Sequence, residues 1–281
     1  INDNKTAEQL GDALLPLKGL DIEYALGCPA GECLAGIDAM IISPGIPDTA
    51  GFVVKAKELG IYVTGELEMA YQLSSGEMVA ITGTNGKTTT VTLLGEIFRN
   101  AGRTTHVVGN IGYPYSQAAL DARKDDMFVC EVSSFQMETA ETFHPRCGAL
   151  LNITEDHLNR HGTMENYALT KMRMFQNMTA EDVAVFNADD PAVAVALIFC
   201  QGVDGGVIKV RDPGHAGIGV LGDLQIQNDG IVAAAPGAVA EEIAQGVSNQ
   251  SALQGIIVDV LQGMGMGAQD DIHAALLHQA Y

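Results

Sequence analysis

The sequence predicts an α/β protein with mostly parallel sheets that are covered by helices. Apolar runs of strand length recur along the chain, and helical patterns of apolar residues lie between them. The predicted strands are residues 39–42, 79–81, 105–108, 127–132, 149–153 and 183–186. This alternation is typical of parallel sheets, because a crossover between two parallel strands usually contains a helix.

Turn and linker signals divide the predicted elements into two domains. The 281 residues leave room for two domains of ~100 to 200 residues each. Residues 74–76, Ser-Ser-Gly, have the composition of a linker, so we expect one domain over residues 1–75 and another over residues 76–281. The first three residues predict the end of a strand. Glycine-rich turns after Gln201 predict short strands and loops, followed by helices over residues 251–261 and 272–281.

Composition argues against two classes of function. Asp and Glu number 35 and Lys and Arg number 15, and the resulting net charge of −20 opposes broad nucleic-acid binding, which needs clustered cations. No run approaches the ~18 apolar residues of a membrane span, and no signal-peptide pattern opens the chain. We therefore expect a cytoplasmic monomer that binds neither nucleic acid nor membranes.

The five cysteines predict reduced thiols. They are Cys28, Cys33, Cys130, Cys147 and Cys200. Their number is odd, and a chain of this size does not need disulfides to stabilise a small core. Cys28 and Cys33 flank Pro-Ala-Gly-Glu, but no second pair of ligands stands at the spacing of a zinc site. The sequence therefore does not predict zinc binding.

The segment from Ile81 to Thr90 has the features of a phosphate-binding loop. It reads Ile-Thr-Gly-Thr-Asn-Gly-Lys-Thr-Thr-Thr, follows an apolar strand and precedes a helical pattern over residues 91–99. In such a loop the backbone N–H groups point at a polyphosphate, Lys87 adds a positive charge and the Thr88 hydroxyl can hold Mg²⁺. The strict pattern has a further glycine where this chain has Ile81. We predict an ATP or GTP site that includes Gly83, Thr84, Asn85, Gly86, Lys87, Thr88 and Thr89.

Two later strand ends carry polar residues. Glu131 ends a predicted strand, where a carboxylate can reach a metal on the phosphates or can equally interact with the first turn of the next helix. Residues 151–161 concentrate carboxylates and imidazoles in one strand-to-helix loop, which suits a second cation or a substrate carboxylate. Asp156 could instead cap a helix, and Arg160 and His161 could be solvated surface.

Lys171 lies on a helix predicted over residues 164–176. Its position in the helical period predicts an exposed side chain. Periodicity alone therefore gives this lysine no functional role.

Four segments occur together in one order, and their combination resembles the Mur ligase family of ATP-dependent amide-forming enzymes. They are G-T-N-G-K-T-T-T at 83–90, E-V-S-S-F-Q at 131–136, N-I-T-E-D-H-L-N-R-H at 152–161 and N-A-D-D at 187–190. Three further segments are most similar to the branch of the family that adds D-glutamate in peptidoglycan precursor synthesis. These are S-P-G-I-P at 43–47, G-E-L-E at 65–68 and G-N-I-G at 109–112. The similarity is strongest over residues 1–200.

The resemblance implies a partial Rossmann-like N-terminal domain for a UDP-linked substrate, followed by a P-loop ATPase-like central domain. It implies that Lys87 and Thr88 handle the ATP phosphates and a first Mg²⁺, with Glu131 as a further ligand. His157 would serve a second metal ion. Lys171 aligns with a lysine that is carbamylated in the family, and this requires an amine neutral enough to react with CO₂.

The same resemblance implies UDP-N-acetylmuramoyl-L-alanine and D-glutamate as small-molecule substrates, joined through an acyl phosphate. The implied contacts are Asn110, Ser133, Gln136 and His157 for the muramoyl-alanine end, and Ser43, Gly45, Asp3 and Lys5 for the uridine diphosphate. A folylpolyglutamate-synthase-like ligase shares the loop and the chemistry, but segments 43–47 and 65–68 argue against it. A nucleotide-binding module without catalysis is the alternative from another class.

The chain departs from the family pattern in a few places. Asn159 stands where many members have aspartate, and the adenine motif His-Asn is Ser248-Asn249 here, which makes Asn249 the adenine candidate. Members have three domains, and this sequence stops where the third would begin, while the usual first strand is expected before Ile1. The sequence therefore predicts a fragment of a ligase that is inactive alone.

Overall fold

The computed structural model describes residues 1–187, 189–198, 207–211 and 249–266. It divides the chain into two compact units, Ile1–Glu66 and Leu67–Tyr281. This division comes before the linker predicted at residues 74–76, and the assignment of functional domains to residues 1–75 and 76–281 stays a prediction. None of the helices in the described ranges is both long enough and apolar enough to cross a membrane.

The first unit contains two separate pairs of parallel strands. Strand β1 (Asn2–Asp3) pairs with β2 (Ala25–Leu26), and β3 (Ala39–Ile42) pairs with β4 (Tyr62–Gly65). Its helices are α1 (Ala7–Leu10) and α2 (Gly51–Glu58). Its core consists of small and branched apolar side chains, namely Leu34, Ile42, Val53, Ala56, Ile61 and Val63. The strand expected at residues 39–42 is confirmed.

The second unit is built on one parallel sheet of six strands. The strands are β5 (Glu77–Thr82), β6 (Thr105–Gly109), β7 (Met127–Glu131), β8 (Cys147–Leu150), β9 (Val183–Asn187) and β10 (Val207–Arg211). Their spatial order is β10-β9-β8-β5-β7-β6, and every neighbouring pair is parallel. The predicted α/β class with a mostly parallel sheet is confirmed.

Helices cover both faces of this sheet. They are α3 (Glu66–Leu73), α4 (Lys87–Asn100), α5 (Tyr115–Ala119), α6 (Ser134–Met137), α7 (Leu158–His161), α8 (Met164–Met172), α9 (Pro191–Ile198) and α10 (Asn249–Gly263). Successive side chains of a strand point to opposite faces, so Met78 and Ala80 join one core cluster while Val79 and Ile81 join the other. This explains why the strands read as continuous apolar runs.

Several predicted bounds shift in the structure. Strand β8 ends at Leu150 rather than at residue 153, although Leu151 N still donates to Thr82 O of β5 at 3.0 Å. The helix expected over residues 164–176 is α8 followed by a 3₁₀ turn, Arg173–Phe175. The helix expected over residues 251–261 lies within α10, whereas the one expected over 272–281 falls outside the described residues.

Glu68, in the segment 65–68, has a structural role at the start of the second unit. Its side chain is fully buried, and its carboxylate accepts hydrogen bonds from the backbone N–H groups of Glu141, Thr142 and Phe143 at 2.9–3.0 Å. Burial alone would raise the pKa of this carboxyl, but these hydrogen bonds and those from the side chains of Thr142 and Gln72 outweigh it and hold the pKa below its ordinary value. An ionised Glu68 therefore fixes the loop that leads into β8.

Candidate functional site: a phosphate loop at the carboxyl edge of the sheet

The predicted phosphate loop lies between β5 and α4, at the carboxyl end of a central strand. Ligands of parallel α/β sheets bind at this edge. Gly86 precedes α4 with a φ of 82°, a left-handed conformation that other residues rarely adopt. Because the first N–H groups of a helix have no acceptor within the helix, the start of α4 offers donors to an anion. The loop geometry therefore suits phosphate.

Asn152 holds this loop from the neighbouring strand end. Its Oδ1 accepts from the N–H groups of Thr84 at 3.1 Å and Asn85 at 2.8 Å, and its Nδ2 donates to Asn85 O at 3.0 Å. The Thr84 hydroxyl also accepts from Thr154 N at 3.0 Å. Sequence reasoning gave Asn152 and Thr154 no role, although both lie in the segment N-I-T. Two of the N–H groups expected to face a ligand are thus used to shape the loop.

Lys87 and Lys171 share one acceptor in the loop. The Nζ atoms of both lysines donate to Gly83 O at 2.9 Å, and Lys87 Nζ also donates to Thr84 O at 2.8 Å. In the described part of the chain neither lysine forms an ion pair with a carboxylate. Two lysine amines at one carbonyl, neither in a direct ion pair with a carboxylate, are typical of a site that receives an anion.

Burial perturbs both amines. Desolvation lowers the pKa of Lys87, although Glu131 and Asp156 oppose the shift. Lys171 is only 2% exposed, and desolvation together with the charge of Lys87 lowers its pKa to about 7, against a weaker opposing effect of Asp156. A large fraction of Lys171 is therefore neutral, and nucleophilic, near pH 7.

Helical periodicity predicts an exposed side chain for Lys171, and this prediction is wrong. Tyr167 precedes Lys171 by one helical turn, so both side chains lie on the same face of α8. That face is buried: Tyr167 is 1% exposed, and its ring lies 4.5 Å from Lys171 Nζ. The Tyr167 hydroxyl is 3.2 Å from Thr84 Oγ1. The helix thus packs its lysine beneath the phosphate loop, which a one-dimensional pattern does not reveal.

Glu131 and Thr88 meet where a metal on the phosphates would lie. Thr88 Oγ1 donates to Glu131 Oε2 at 2.7 Å, and Asn110 Nδ2 donates to Oε1 at 3.0 Å. Glu131 is 3% exposed and does not cap the next helix, because Ser133 holds that position. A carboxylate and a hydroxyl are the hard oxygen ligands that Mg²⁺ prefers, so the residues fit that ion.

The Asn110 side chain is hydrogen-bonded to Glu131. Its backbone N–H also donates to Glu131 O, at 2.8 Å. The preceding Gly109 has a φ of 100°, and a Cβ there would collide with the Glu131 carbonyl oxygen. Only glycine permits this close approach. Asn110 is therefore positioned to orient the carboxylate, in addition to the substrate contact predicted for it.

Ser133 and Gln136 form the N-terminal cap of α6. Ser133 Oγ accepts from Gln136 N at 3.2 Å, and Gln136 Oε1 accepts from Ser133 N at 3.0 Å. This reciprocal arrangement is a capping box, which fixes the start of a helix. The predicted contact of both residues with substrate stays a prediction.

His157 has the only positive φ of the described non-glycine residues, at 52°. Such a conformation is uncommon for histidine and concentrates at functional sites. The side chain is half exposed, its Nε2 lies 3.4 Å from Asp156 Oδ2, and Asp156 Oδ1 accepts from His157 N at 2.8 Å. Since His157 itself is the N-cap residue of α7, Asp156 does not take the predicted cap position.

Arg160 and His161 are not solvated surface, contrary to the alternative drawn from sequence. Arg160 forms two-pronged hydrogen bonds with Glu138, the shortest at 2.6 Å, and its guanidinium lies over the Phe135 ring at 4.9 Å. His161 is buried, its Nε2 lies 3.0 Å from Ser134 Oγ, and burial lowers its pKa. These contacts tie the loop after β7 to the loop that carries His157.

The residues predicted for uridine diphosphate lie in the first unit. Asp3 Oδ1 accepts from Lys5 N at 2.8 Å at the end of β1, and the Lys5 side chain is exposed. Ser43 and Gly45 follow β3 and are exposed. Asn249 begins α10, but its side chain falls outside the described residues, as does Ser248. All of these assignments stay predictions.

Asp190, in the segment N-A-D-D, connects two strand ends. Its Oδ2 accepts from Ile153 N at 3.1 Å, and its Oδ1 accepts from the N–H groups of Ala192 and Val193 at the start of α9. Within the described ranges no three His, Cys, Asp or Glu side chains cluster as a metal site. The candidate Mg²⁺ ligands are therefore the pair Thr88 and Glu131, with water and phosphate oxygens to complete the coordination.

Comparison with known proteins decides the family. Residues 81–228, more than half of the chain, match the Mur ligase middle domain. The chain belongs to the Mur ligase family. The match begins at Ile81, within β5, and therefore includes the whole phosphate loop.

Curated relatives are about half identical to this chain over two thirds or more of its length. A UDP-N-acetylmuramoylalanine–D-glutamate ligase of Alkaliphilus oremlandii is 50% identical over 192 residues, which are 68% of this chain and 42% of the relative. Enzymes of the same name from Caldanaerobacter subterraneus and Syntrophotalea carbinolica are 51% and 47% identical, over 67% and 76% of this chain and 42% and 48% of their own lengths. The chain spans less than half the length of these relatives.

Solved structures of distant ligases share the fold. MurF from Acinetobacter baumannii has a TM-score of 0.52 at 16% identity, over 85% of this chain and 59% of its own. A UDP-N-acetylmuramate:L-alanyl-gamma-D-glutamyl-meso-diaminopimelate ligase from Neisseria meningitides has a TM-score of 0.50 at 18% identity, over 74% of this chain and 68% of its own. At these identities the likeness concerns the fold alone.

Proposed function

We propose that this chain carries the phosphate-handling part of an ATP-dependent ligase that adds D-glutamate to UDP-N-acetylmuramoyl-L-alanine in peptidoglycan precursor synthesis. The observation that carries the proposal is the convergence of Lys87 and Lys171 on Gly83 O beside the pair Thr88 and Glu131. The D-glutamate branch rests on the names of relatives that are about half identical to this chain.

The proposed reaction activates the alanyl carboxylate of the substrate. That carboxylate attacks the γ-phosphorus of ATP, ADP leaves, and the resulting acyl phosphate is attacked by the amine of D-glutamate with loss of phosphate. The first step brings two anions together, so it needs positive charge. Mg²⁺, when bound, neutralises the phosphate oxygens and orients the γ-phosphoryl group.

The residues of the chain divide this work. Lys87 leaves its two loop carbonyls to meet the β- and γ-phosphates, and the N–H groups at the start of α4 bind the phosphate oxygens. Thr88 and Glu131 would hold the metal ion, and Asn110 keeps the Glu131 carboxylate in place. Lys171 reacts in its neutral form with CO₂ to give a carbamate anion and a proton. That carbamate, together with His157, would hold a second metal ion.

Ligand selectivity tests the proposed branch. Titration calorimetry of the chain with UDP-N-acetylmuramoyl-L-alanine, with UDP and folate as comparison ligands, should give saturable binding that is tightest for the muramoyl ligand. Tighter binding of folate would move the chain to the folylpolyglutamate-synthase-like branch. Equal affinity for UDP and the muramoyl ligand would mean that Asn110, Ser133 and Gln136 do not contact the muramoyl-alanine end.

A further inference from the structure

Two thiols of the first unit lie almost in bonding distance. Cys28 Sγ and Cys33 Sγ are 3.1 Å apart, at the two ends of a short loop that contains the 3₁₀ turn Ala30–Glu32. Cys33 N donates to Ala30 O at 3.1 Å, which closes that turn and brings the second sulfur back towards the first. A disulfide needs a sulfur separation of ~2.05 Å, so an approach of about 1 Å is enough.

The described cysteines fall into two classes. Cys28 and Cys33 are half-buried, and reagents in solution can reach them, whereas Cys130 and Cys147 lie in β7 and β8 with no exposed surface. Exposure and thiolate character decide which cysteines are oxidised. The buried pair therefore provides an internal reference for the exposed pair within the same chain.

We propose that Cys28 and Cys33 form a reversible dithiol–disulfide pair, a modification site for a low-molecular-weight disulfide of the glutathione class. The thiolate of one cysteine attacks a sulfur of the oxidant and releases one small thiol. The second cysteine, as its thiolate, attacks the mixed disulfide and releases the other small thiol. The chain loses two protons and two electrons, and the oxidant becomes two thiols.

The environment of the pair sets its rate. The hydrogen bond with Cys33, followed by burial, raises the pKa of the Cys28 thiol. Thiolate is the attacking species, so oxidation accelerates as the pH rises from 7 towards 9. The sulfurs also lie near the carbonyl oxygen of Pro29, at 3.7 and 3.8 Å. Lys55 Nζ donates to the carbonyl oxygen of Gly31, in the middle of the same loop, at 3.3 Å.

The disulfide would act on the end of β1. Asn2 Nδ2 donates to Ala25 O at 2.9 Å and to Cys28 O at 2.8 Å, and it lies 3.7 Å from Cys33 Sγ. A covalent link across the loop restricts the position of the Cys28 carbonyl, which accepts a hydrogen bond from Asn2. Asp3, the neighbour of Asn2, is a residue predicted to hold uridine diphosphate. Oxidation is therefore expected to change affinity for UDP, while formation of the disulfide does not depend on the proposed ligase function.

The test treats the folded C200S variant with oxidised glutathione at pH 8, and all other variants carry the same substitution, because Cys200 lies outside the described residues. Intact mass should fall by about 2 Da without a lasting glutathione adduct, and peptide mapping should find Cys28 linked to Cys33. The variants C28S and C33S should each retain one glutathione, because no resolving thiol remains. Dithiothreitol should restore the starting mass.

Three outcomes would overturn the proposal. They are glutathione adducts in place of the internal link, a link that involves Cys130 or Cys147, and single variants that take up no glutathione. UDP titration of the oxidised and reduced chains is read separately. Equal affinities would refute the effect on the nucleotide site while leaving the modification site intact.

Discussion

The two ends of the six-stranded sheet use charge in opposite ways. At the amino edge, acidic and basic side chains face each other: His106 with Asp126 at 3.0 Å, His144 with Asp182 at 2.6 Å and Arg103 with Glu77 at 2.7 Å. At the carboxyl edge, Lys87 and Lys171 face a carbonyl oxygen instead of a carboxylate.

The difference separates stability from function. Hydrogen bonds between acidic and basic side chains fasten the strand starts, whereas two desolvated lysine amines and a histidine with positive φ cost folding free energy. Such destabilising groups are common at functional sites, where proteins trade stability for activity and where ligand binding offsets the loss of stability. Substitutions at the amino edge should therefore lower stability without weakening ligand binding, and substitutions at the carboxyl edge should weaken ligand binding without lowering stability.

The largest effect is expected for Asp182→Ala. Asp182 is 6% exposed and accepts hydrogen bonds from His144, Arg146, and both the N–H and the hydroxyl of Thr179. Its removal leaves these donors without an acceptor, and the free energy of unfolding should fall by about 3 kcal/mol. Urea denaturation measures this, and the exposed neighbour Glu181→Ala should change it by less than ~0.5 kcal/mol. A loss of nucleotide affinity in the folded variant would break the comparison.

Lys87→Ala should have the complementary effect. Affinity for a non-hydrolysable ATP analogue with Mg²⁺ should fall about 30-fold or more, because a charge-assisted contact to phosphate contributes roughly 2 kcal/mol. The free energy of unfolding should not decrease, since the lost amine was desolvated. Calorimetry and urea denaturation measure the two quantities, with the exposed Lys124→Ala as control. Unchanged affinity for the analogue would remove Lys87 from the site.

Lys171→Met should make the chain more stable near pH 7. The folded pKa of Lys171 is lowered to about 7, while an unfolded lysine titrates near ~10.4. Between these pH values the unfolded state binds more protons than the folded state. The free energy of unfolding of the wild type therefore rises with pH, relative to the variant, by up to about 1.4 kcal/mol per pH unit. The variant's advantage should be greatest below pH 7 and shrink above it, measured by urea denaturation in buffer free of bicarbonate. An advantage that does not vary with pH would contradict the burial of a titrating amine.

The smallest effect is expected for Asp126→Asn. The hydrogen bond from His106 holds the pKa of Asp126 below its ordinary value, against the opposing effect of burial. A lowered folded pKa contributes stability above the unfolded value of ~3.9 and loses it as the pH falls through the folded value. The variant should lose about 1 kcal/mol at pH 7 and match the wild type in strong acid. The exposed Asp125→Asn is the control, and an equal loss there would refute the role of the ion pair.

The sequence predicts the strands and several site residues at the carboxyl edge, but not the ion-pair partners at the amino edge. Strand positions follow from apolar runs, because strands buried on both faces leave a continuous signal. The site residues Lys87, Thr88 and Glu131 stand at strand ends or in a glycine-rich loop, which local patterns reveal. The structure brings Glu131 and Thr88 together because β7 is the parallel sheet neighbour of β5.

Other features depend on tertiary packing. The burial of Lys171 arises because α8 lies beneath the phosphate loop, and no periodicity within the helix carries that information. Asn152 shapes the loop from a strand that is distant in sequence, so nothing in its own segment marks it as a loop residue. The ion pairs at the amino edge join residues up to 38 positions apart. Composition gives the number of such charges but not their partners.

Hydrogen–deuterium exchange tests the division between the two edges most directly. The chain is compared with and without a saturating non-hydrolysable ATP analogue and Mg²⁺, using peptides that cover both edges. The predicted result is slower exchange over residues 83–90 and 131–134 when the ligand is bound. Exchange over residues 103–106 and 179–183 should not change. Protection confined to the amino edge, or no protection at the phosphate loop when calorimetry shows saturation, would contradict the placement of the nucleotide at the carboxyl edge.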